Sequence, residues 1–252
     1  MKNPSFESTP QGEEKNPEEI YKLQPHEQVK IKELETPLAE ILEQLRPEIE
    51  RGEYSAIIGD DASGRIPSLI LWEVIGEIYK KNDLPPPLMR FIAGSSRLLL
   101  SARAEKEMAV DEQMARIEKD TRQDNKKFLI ATDTIASGAS VDVLMAAIKK
   151  NGLRADVATI GLISSDRDRA RIEKELEKRW GNKVVCGMIG TPDIYQATRI
   201  SGVVKDPKNL FSNAIARNFE KDQQLVNNAR ELSHEVAHNL LEEFNTNTKD
   251  KE

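Results

Sequence analysis

The stretch FLIATDTIASGAS, residues 128–140, places the strongest constraint on what this chain can fold into. An apolar run at 128–131 leads into Thr132 and a single acid, Asp133. A small-residue turn then passes through Ala136, Ser137, Gly138, Ala139 and Ser140. The apolar-periodic run VDVLMAAIKK opens at its end. A short apolar run, a break and a restart at helical period read as buried strand, tight loop and helix N-terminus. The first turn of a helix leaves N–H groups without intrahelical acceptors and carries the positive end of the helix dipole. Such a junction favours an anion, most commonly phosphate.

A second unit of this kind lies upstream in YSAIIGDDASGRIPSLILWEVIGEIYKK. Residues 55–59 read as a strand, 60–67 as a loop and 68–80 as an apolar helix. Three further strands follow the same logic: LMRFIA at 88–93, ADVATIGLIS at 155–164 and VVCGMIG at 184–190. The central helix runs over 139–151 and stops at Asn151-Gly152. A charged helix over 166–180 is capped near Ser165/Asp166 and closed by Gly181-Asn182. Residues 191–204 read as irregular with one short strand at most. Alternating strands and helices imply one α/β domain, a mostly parallel sheet flanked by helices, with extra N- and C-terminal helices.

Outside this core the pattern changes. Residues 1–28 are rich in Pro, Glu, Asn, Gln and Ser, and the expectation is a disordered tail. An amphipathic helix starts near Glu33, carries Leu34, Leu38, Ile41, Leu42 and Leu45, and is limited by Pro47. Residues 95–127 are densely charged, with helix-forming composition and weak amphipathicity, and long connections of this kind serve as lids or partner contacts. A last element spans about 210–244, with Phe211, Ile215, Phe219, Val226, Ala229, Leu232, Val236, Leu240 and Phe244 near one helical stripe. The closing NTNTKDKE is expected to fray. The boundaries are therefore 1–28, a domain over 29–205 and a helical extension over 206–252.

Bulk numbers exclude some functions. A net charge of −6 supplies no excess of cations for general nucleic-acid or membrane-surface binding. The single Cys186 cannot form an intrachain disulfide, which fits a reducing compartment. The N-terminus lacks a signal-peptide apolar core and no run reaches membrane-span length, so the expected location is cytoplasmic.

Ligands in open α/β sheets bind where loops converge at the carboxyl ends of strands. Here those loops are DDASGRIP and TDTIASGAS. Asp133 is either a ligand-facing carboxylate or a helix cap. Ser137 and Ser140 either donate hydroxyls to phosphate or cap the following helix. Asp60 and Asp61 either hold Mg²⁺ through water or mark a turn. Ser63, Gly64 and Arg65 form the end of the first loop, where Arg65 reaches a phosphate or lies in solvent. Arg90, Arg97 and Arg103 offer further positive charge, although surface charge is the simpler reading of each. HEVAH (His234, Glu235, His238) satisfies the HExxH zinc spacing, but the helix is charged and no third ligand stands out beyond Glu242 or Glu243.

FLIATDTIASGAS resembles the phosphoribosyl-pyrophosphate motif of type I phosphoribosyltransferases: strand, two adjacent acids, a two-residue spacer and a small-residue phosphate loop. IIGDDASGRIP is similar to that family's first, pyrophosphate-contacting loop, and the segment around 95–123 falls where the family carries a flexible active-site loop. The resemblance implies that Asp133 faces the ribose, that Thr134 and Ile135 form the spacer and that residues 136–140 cradle the 5-phosphate. It also implies Mg²⁺ as cofactor and phosphoribosyl pyrophosphate or a nucleotide as ligand. The acceptor base would contact the region around 188–203. Thr132 replaces the first acid. Losing one of two carboxylates beside a cationic, oxocarbenium-like ribose removes roughly 10²- to 10³-fold in rate. The alternatives are thus a transferase and a ligand-sensing or adaptor protein on the same fold. A homodimer or protein partner would dock through the C-terminal helix or the 95–127 segment.

Overall fold

The apolar runs become β1 (Tyr54–Asp60), β2 (Leu88–Ile92), β3 (Lys127–Ile135), β4 (Ala155–Leu162) and β5 (Val184–Ile189). They hydrogen-bond in the order β2-β1-β3-β4-β5, and every neighbouring pair is parallel. The computed structural model describes residues 23, 25–60, 64–92, 103–121, 127–164, 168–192, 200–201, 203–204, 215–216 and 220–249. Of the tail expected to be disordered over 1–28, residues 1–22 and 24 lie outside the described residues and residues 25–28 are instead helical; the candidates Asp61, Ser63 and Arg97 also lie outside them, as does the side chain of Arg103. β4, a central strand covered by helices on both faces, is buried along its whole length, including the polar side chains of Asp156 and Thr159.

Helices cover both faces. One carries α1 (Pro25–Lys32), α2 (Glu35–Gln44), α3 (Arg46–Glu50), α4 (Arg65–Lys81) and α8 (Glu220–Lys249), which share a core with Ile57, Leu129 and Ile160. The other carries α5 (Arg103–Thr121), α6 (Ala139–Lys150) and α7 (Arg169–Trp180), packed on Ile58, Ile130 and Val157. A small antiparallel pair, β6 (Val203–Val204) and β7 (Ile215–Ala216), stands apart from the main sheet. Among the described residues no helix is long and apolar enough to cross a membrane.

Several local expectations need correction. The helix expected near Glu33 is α2, from Glu35, but a separate helix, α1, already begins at Pro25, with proline's fixed φ suited to a first helical position. α2 ends at Gln44, three residues ahead of Pro47, which lies in the first turn of α3. The upstream loop is shorter than expected, because α4 opens at Arg65 with Pro67 in its first turn. Asp168, not the Ser165/Asp166 region, caps α7: its Oδ1 accepts from the Arg171 N–H at 3.1 Å. The C-terminal helix starts at Glu220, and Ile215 belongs to β7. Helical structure also continues through the expected fraying point. Asn245 Nδ2 donates to Leu241 O at 2.6 Å and Thr246 Oγ1 donates to Glu242 O at 2.9 Å.

The apolar stripe of α8 is used inside the chain. Leu225, Ala229, Val236, Ala237, Leu240 and Phe244 are buried in the core shared with α4 and α2. Arg46 anchors the far end, with its guanidinium carbon 3.6 Å from the centre of the Phe244 ring and Nη2 donating to Phe244 O at 3.0 Å. The weak amphipathicity of α5 resolves likewise, since Val110, Met114 and Ile117 are buried against the sheet.

Candidate functional site

Strand order fixes where a ligand can sit. From β1 the chain steps outward to β2 across one face through α4, whereas β3, β4 and β5 step the other way through α6 and α7 across the opposite face. The reversal falls between β1 and β3, and a crevice opens outside the carboxyl ends of strands at such a switch point. Parallel register aligns Gly59 with Ala131, which makes Asp60 and Thr132 the next neighbours. Both small loops of the sequence therefore begin at this crevice.

The first loop is pinned down onto the strand ends. Ser68, fully buried in the first turn of α4, donates its hydroxyl to Gly64 O at 2.5 Å and lies 3.3 Å from Ala131 O. A Cβ at Gly64 would stand 2.6 Å from Asp60 O and 3.3 Å from Ala131 O, so only glycine allows this approach. Arg65 stacks on β2, its guanidinium carbon 4.1 Å from the Phe91 ring centre. Arg90 lies on the exposed side of β2, where it donates to Asp120 of α5 at 3.2 Å. It belongs to a surface pair, not to the crevice.

The second loop is shorter than expected. Thr132, Asp133, Thr134 and Ile135 all lie within β3, and only 136–138 connect it to α6. Thr132 and Asp133 are each 3 % exposed, and the Thr132 hydroxyl donates to Asp133 Oδ1 at 3.4 Å. Asp133 is a buried strand carboxylate and not a helix cap. Thr134 Oγ1 is also buried and has no hydrogen-bond partner among the described residues. Ala136 and Ser137 are exposed, while Ala139 and Ser140 are half-buried at the start of α6.

The N-cap is Gly138, left-handed at φ 74°, so neither Ser137 nor Ser140 holds that position. Ser137 Oγ instead accepts a long bond from the Ala139 N–H at 3.4 Å. Three residues of this region carry no sequence signal for it. Arg179 Nη1 donates to Ser137 O at 2.8 Å, Arg179 Nη2 pairs with Asp142 in the first turn of α6, and Trp180 Nε1 donates to Asp142 Oδ1 at 2.9 Å. They lie 42 or fewer residues from their partners in sequence and meet only through the β4–α7 crossover.

Among the described residues no group of three or more His, Cys, Asp or Glu could hold a metal ion. The HEVAH residues are surface pairs: His234 Nδ1 lies 2.6 Å from Glu73, His238 Nδ1 3.8 Å from Glu242, and Glu235 accepts from Lys32 at 3.1 Å. Cys186 is buried, and burial pushes its thiol up to about 12, so it is no nucleophile at neutral pH. No family model, curated protein or solved structure matches this chain.

Proposed function

We propose that this chain is a phosphoribosyltransferase-like protein that binds Mg²⁺–phosphoribosyl pyrophosphate, or a nucleotide, in the β1/β3 crevice. The observation that carries the reading is a buried carboxylate, Asp133, near the carboxyl end of β3 beside the switch point, in the strand that leads through a short loop to the left-handed Gly138 and a helix N-terminus. Ribose hydroxyls need an acceptor, and Asp133 supplies it. The 5-phosphate needs converging N–H donors, and residues 136–140 with the first turn of α6 supply them. Thr134 Oγ1 and the first loop at Gly64 and Arg65 face the remainder of the ligand. Asp133 and Asp60 would hold Mg²⁺ with water and ligand phosphates completing its shell, and the ion would supply charge neutralisation to the pyrophosphate.

In the transfer reaction the ribosyl 5-phosphate group passes to a nitrogenous base and pyrophosphate leaves. The chain's part is electrostatic: the Asp133 carboxylate, shielded from water, stabilises positive charge developing on the ribose. Thr132 favours a second reading, a ligand sensor with weak turnover. Its neutral hydroxyl stands where a second carboxylate would add to that stabilisation, and it hydrogen-bonds to Asp133 instead. Binding tolerates this loss better than catalysis does.

Titration calorimetry with phosphoribosyl pyrophosphate and Mg²⁺ tests both readings. Binding at or below millimolar ligand, abolished in Asp133→Asn, is expected, and a silent titration sinks them together. Pyrophosphate release on a panel of nucleobases then separates transferase from sensor. Thr132→Asp is expected to raise turnover by roughly 10²- to 10³-fold.

A further inference from the structure

The 136–140 loop, whose role as a phosphate cradle rests on the proposed function, is held by residues outside the crevice. Arg179 and Trp180 close α7 and make three contacts here, one with the loop and two with Asp142 in the first turn of α6. Arg179 donates to the Ser137 carbonyl at 2.8 Å, its second nitrogen pairs with Asp142, and the Trp180 indole donates to the same Asp142 carboxylate at 2.9 Å. The backbone presses closely: a Cβ at Gly138 would stand 3.0 Å from Trp180 Cζ2 and 3.2 Å from Arg179 Nη1. Trp180 is 2 % exposed and packed in the core, whereas the Arg179 side chain is 43 % exposed. An ion pair that exposed would hold little by itself. Its anchor is the buried indole, which fixes Asp142 and through it the guanidinium.

Peptide planarity turns this contact into a direction. In a trans peptide the C=O and N–H point to opposite sides of one rigid plane. With the Ser137 carbonyl held toward Arg179, the Gly138 N–H must point away from α7. We propose that Arg179, anchored by Asp142 and Trp180, is a positioning residue that sets the 137–138 peptide and pre-forms the phosphate loop. A ligand meeting a loop that is only partly in the competent form binds more weakly by that fraction.

The test pairs amide hydrogen exchange with calorimetry on the full chain. In Arg179→Ala, exchange across 136–141 is expected to accelerate roughly tenfold while the 128–131 amides stay as they were. Affinity for Mg²⁺–phosphoribosyl pyrophosphate should fall about fivefold to tenfold. The melting temperature should move by no more than about 4 °C, which a purely structural role would not combine with the affinity loss. Arg179→Lys keeps the charge without the planar fork and should fall between. Asp142→Asn keeps an acceptor for the indole, removes the charge that holds Arg179, and serves if Arg179→Ala does not fold. Unchanged exchange in these variants overturns the proposal, and so does faster exchange with wild-type affinity. If the wild type binds no ligand yet the variants exchange faster, the phosphoribosyl reading fails while the loop-setting role of Arg179 stands.

Discussion

Replacing Gly138 with alanine should destabilise the chain for two separable reasons, and a second glycine isolates them. Gly138 has φ 74° and Gly152 has φ 68°, so alanine at either incurs the left-handed penalty, about 1.5 kcal/mol. The surroundings differ. A Cβ at Gly138 would lie 3.0 Å from Trp180 and 3.2 Å from Arg179, while a Cβ at Gly152 would meet nothing within 4 Å. Trp180 is buried and cannot swing aside, so the overpacking adds about 1.5 kcal/mol at Gly138. Gly138→Ala should thus lose about 3 kcal/mol and roughly 6–12 °C in melting temperature, and Gly152→Ala about half of each. Denaturant titration and thermal melting of the two variants under identical conditions measure the difference. Equal losses would refute the close contact between the 136–138 loop and the end of α7. In Gly138→Ala,Trp180→Phe the excess should shrink, because the smaller ring withdraws the atom nearest the new methyl.

Two further outcomes concern the frame around the site. Arg46→Met should lower stability by about 2–4 kcal/mol and speed proteolysis near the end of α8, because the Phe244 carbonyl loses its buried donor and the ring its cation; unchanged cleavage would show that α8 docks without Arg46. At the amino-terminal edge of the sheet, Lys127 Nζ lies 2.6 Å from Asp156 and 3.1 Å from Glu53, and the Tyr54 hydroxyl donates to Asp156 at 2.8 Å. Burial raises the Glu53 pKa, but hydrogen bonds from Lys127 and Arg51 outweigh it and hold the group below its ordinary 4.5. That stabilisation is present above 4.5 and fades as pH falls below it through the folded value. Burial lowers the Lys127 pKa, yet hydrogen bonding to Asp156 and Glu53 leaves it above 10.5, so its contribution is complete below 10.5 and fades as pH rises beyond. Stability measured against pH in Lys127→Met should lose the alkaline limb and keep only the part of the acid limb that Arg51 sustains on Glu53; a wild-type profile in that variant would show that the cluster is not coupled.

The central strands β1, β3 and β4 are legible in the sequence because they are covered on both faces and so read as largely apolar runs. The stop at Asn151-Gly152 is legible for a local reason too, a glycine at positive φ. Periodicity by itself misleads. Ile215 fits the stripe of the last helix but pairs with Val204 in β6-β7, and no spacing rule separates those outcomes. The polar composition after Phe244 suggests fraying, yet Asn245 and Thr246 bond back to their own helix and Phe244 beneath them is seated on Arg46. HEVAH fits a zinc pattern, while the fold points its residues at Glu73, Glu242 and Lys32.

By itself the sequence determined the α/β alternation, a strand–loop–helix junction at 128–140 suited to an anion, and the absence of an acid at Thr132. These are local properties, set by periodicity, by small residues at turns and by side-chain identity. Only the tertiary structure decided that β1 and β3 are neighbours with Asp60 beside Thr132, that Asp133 is buried in the strand, and that Arg179 and Trp180 hold the Ser137–Gly138 peptide. Strand order and crossovers bring residues tens of positions apart into contact, and no local pattern encodes which of them meet.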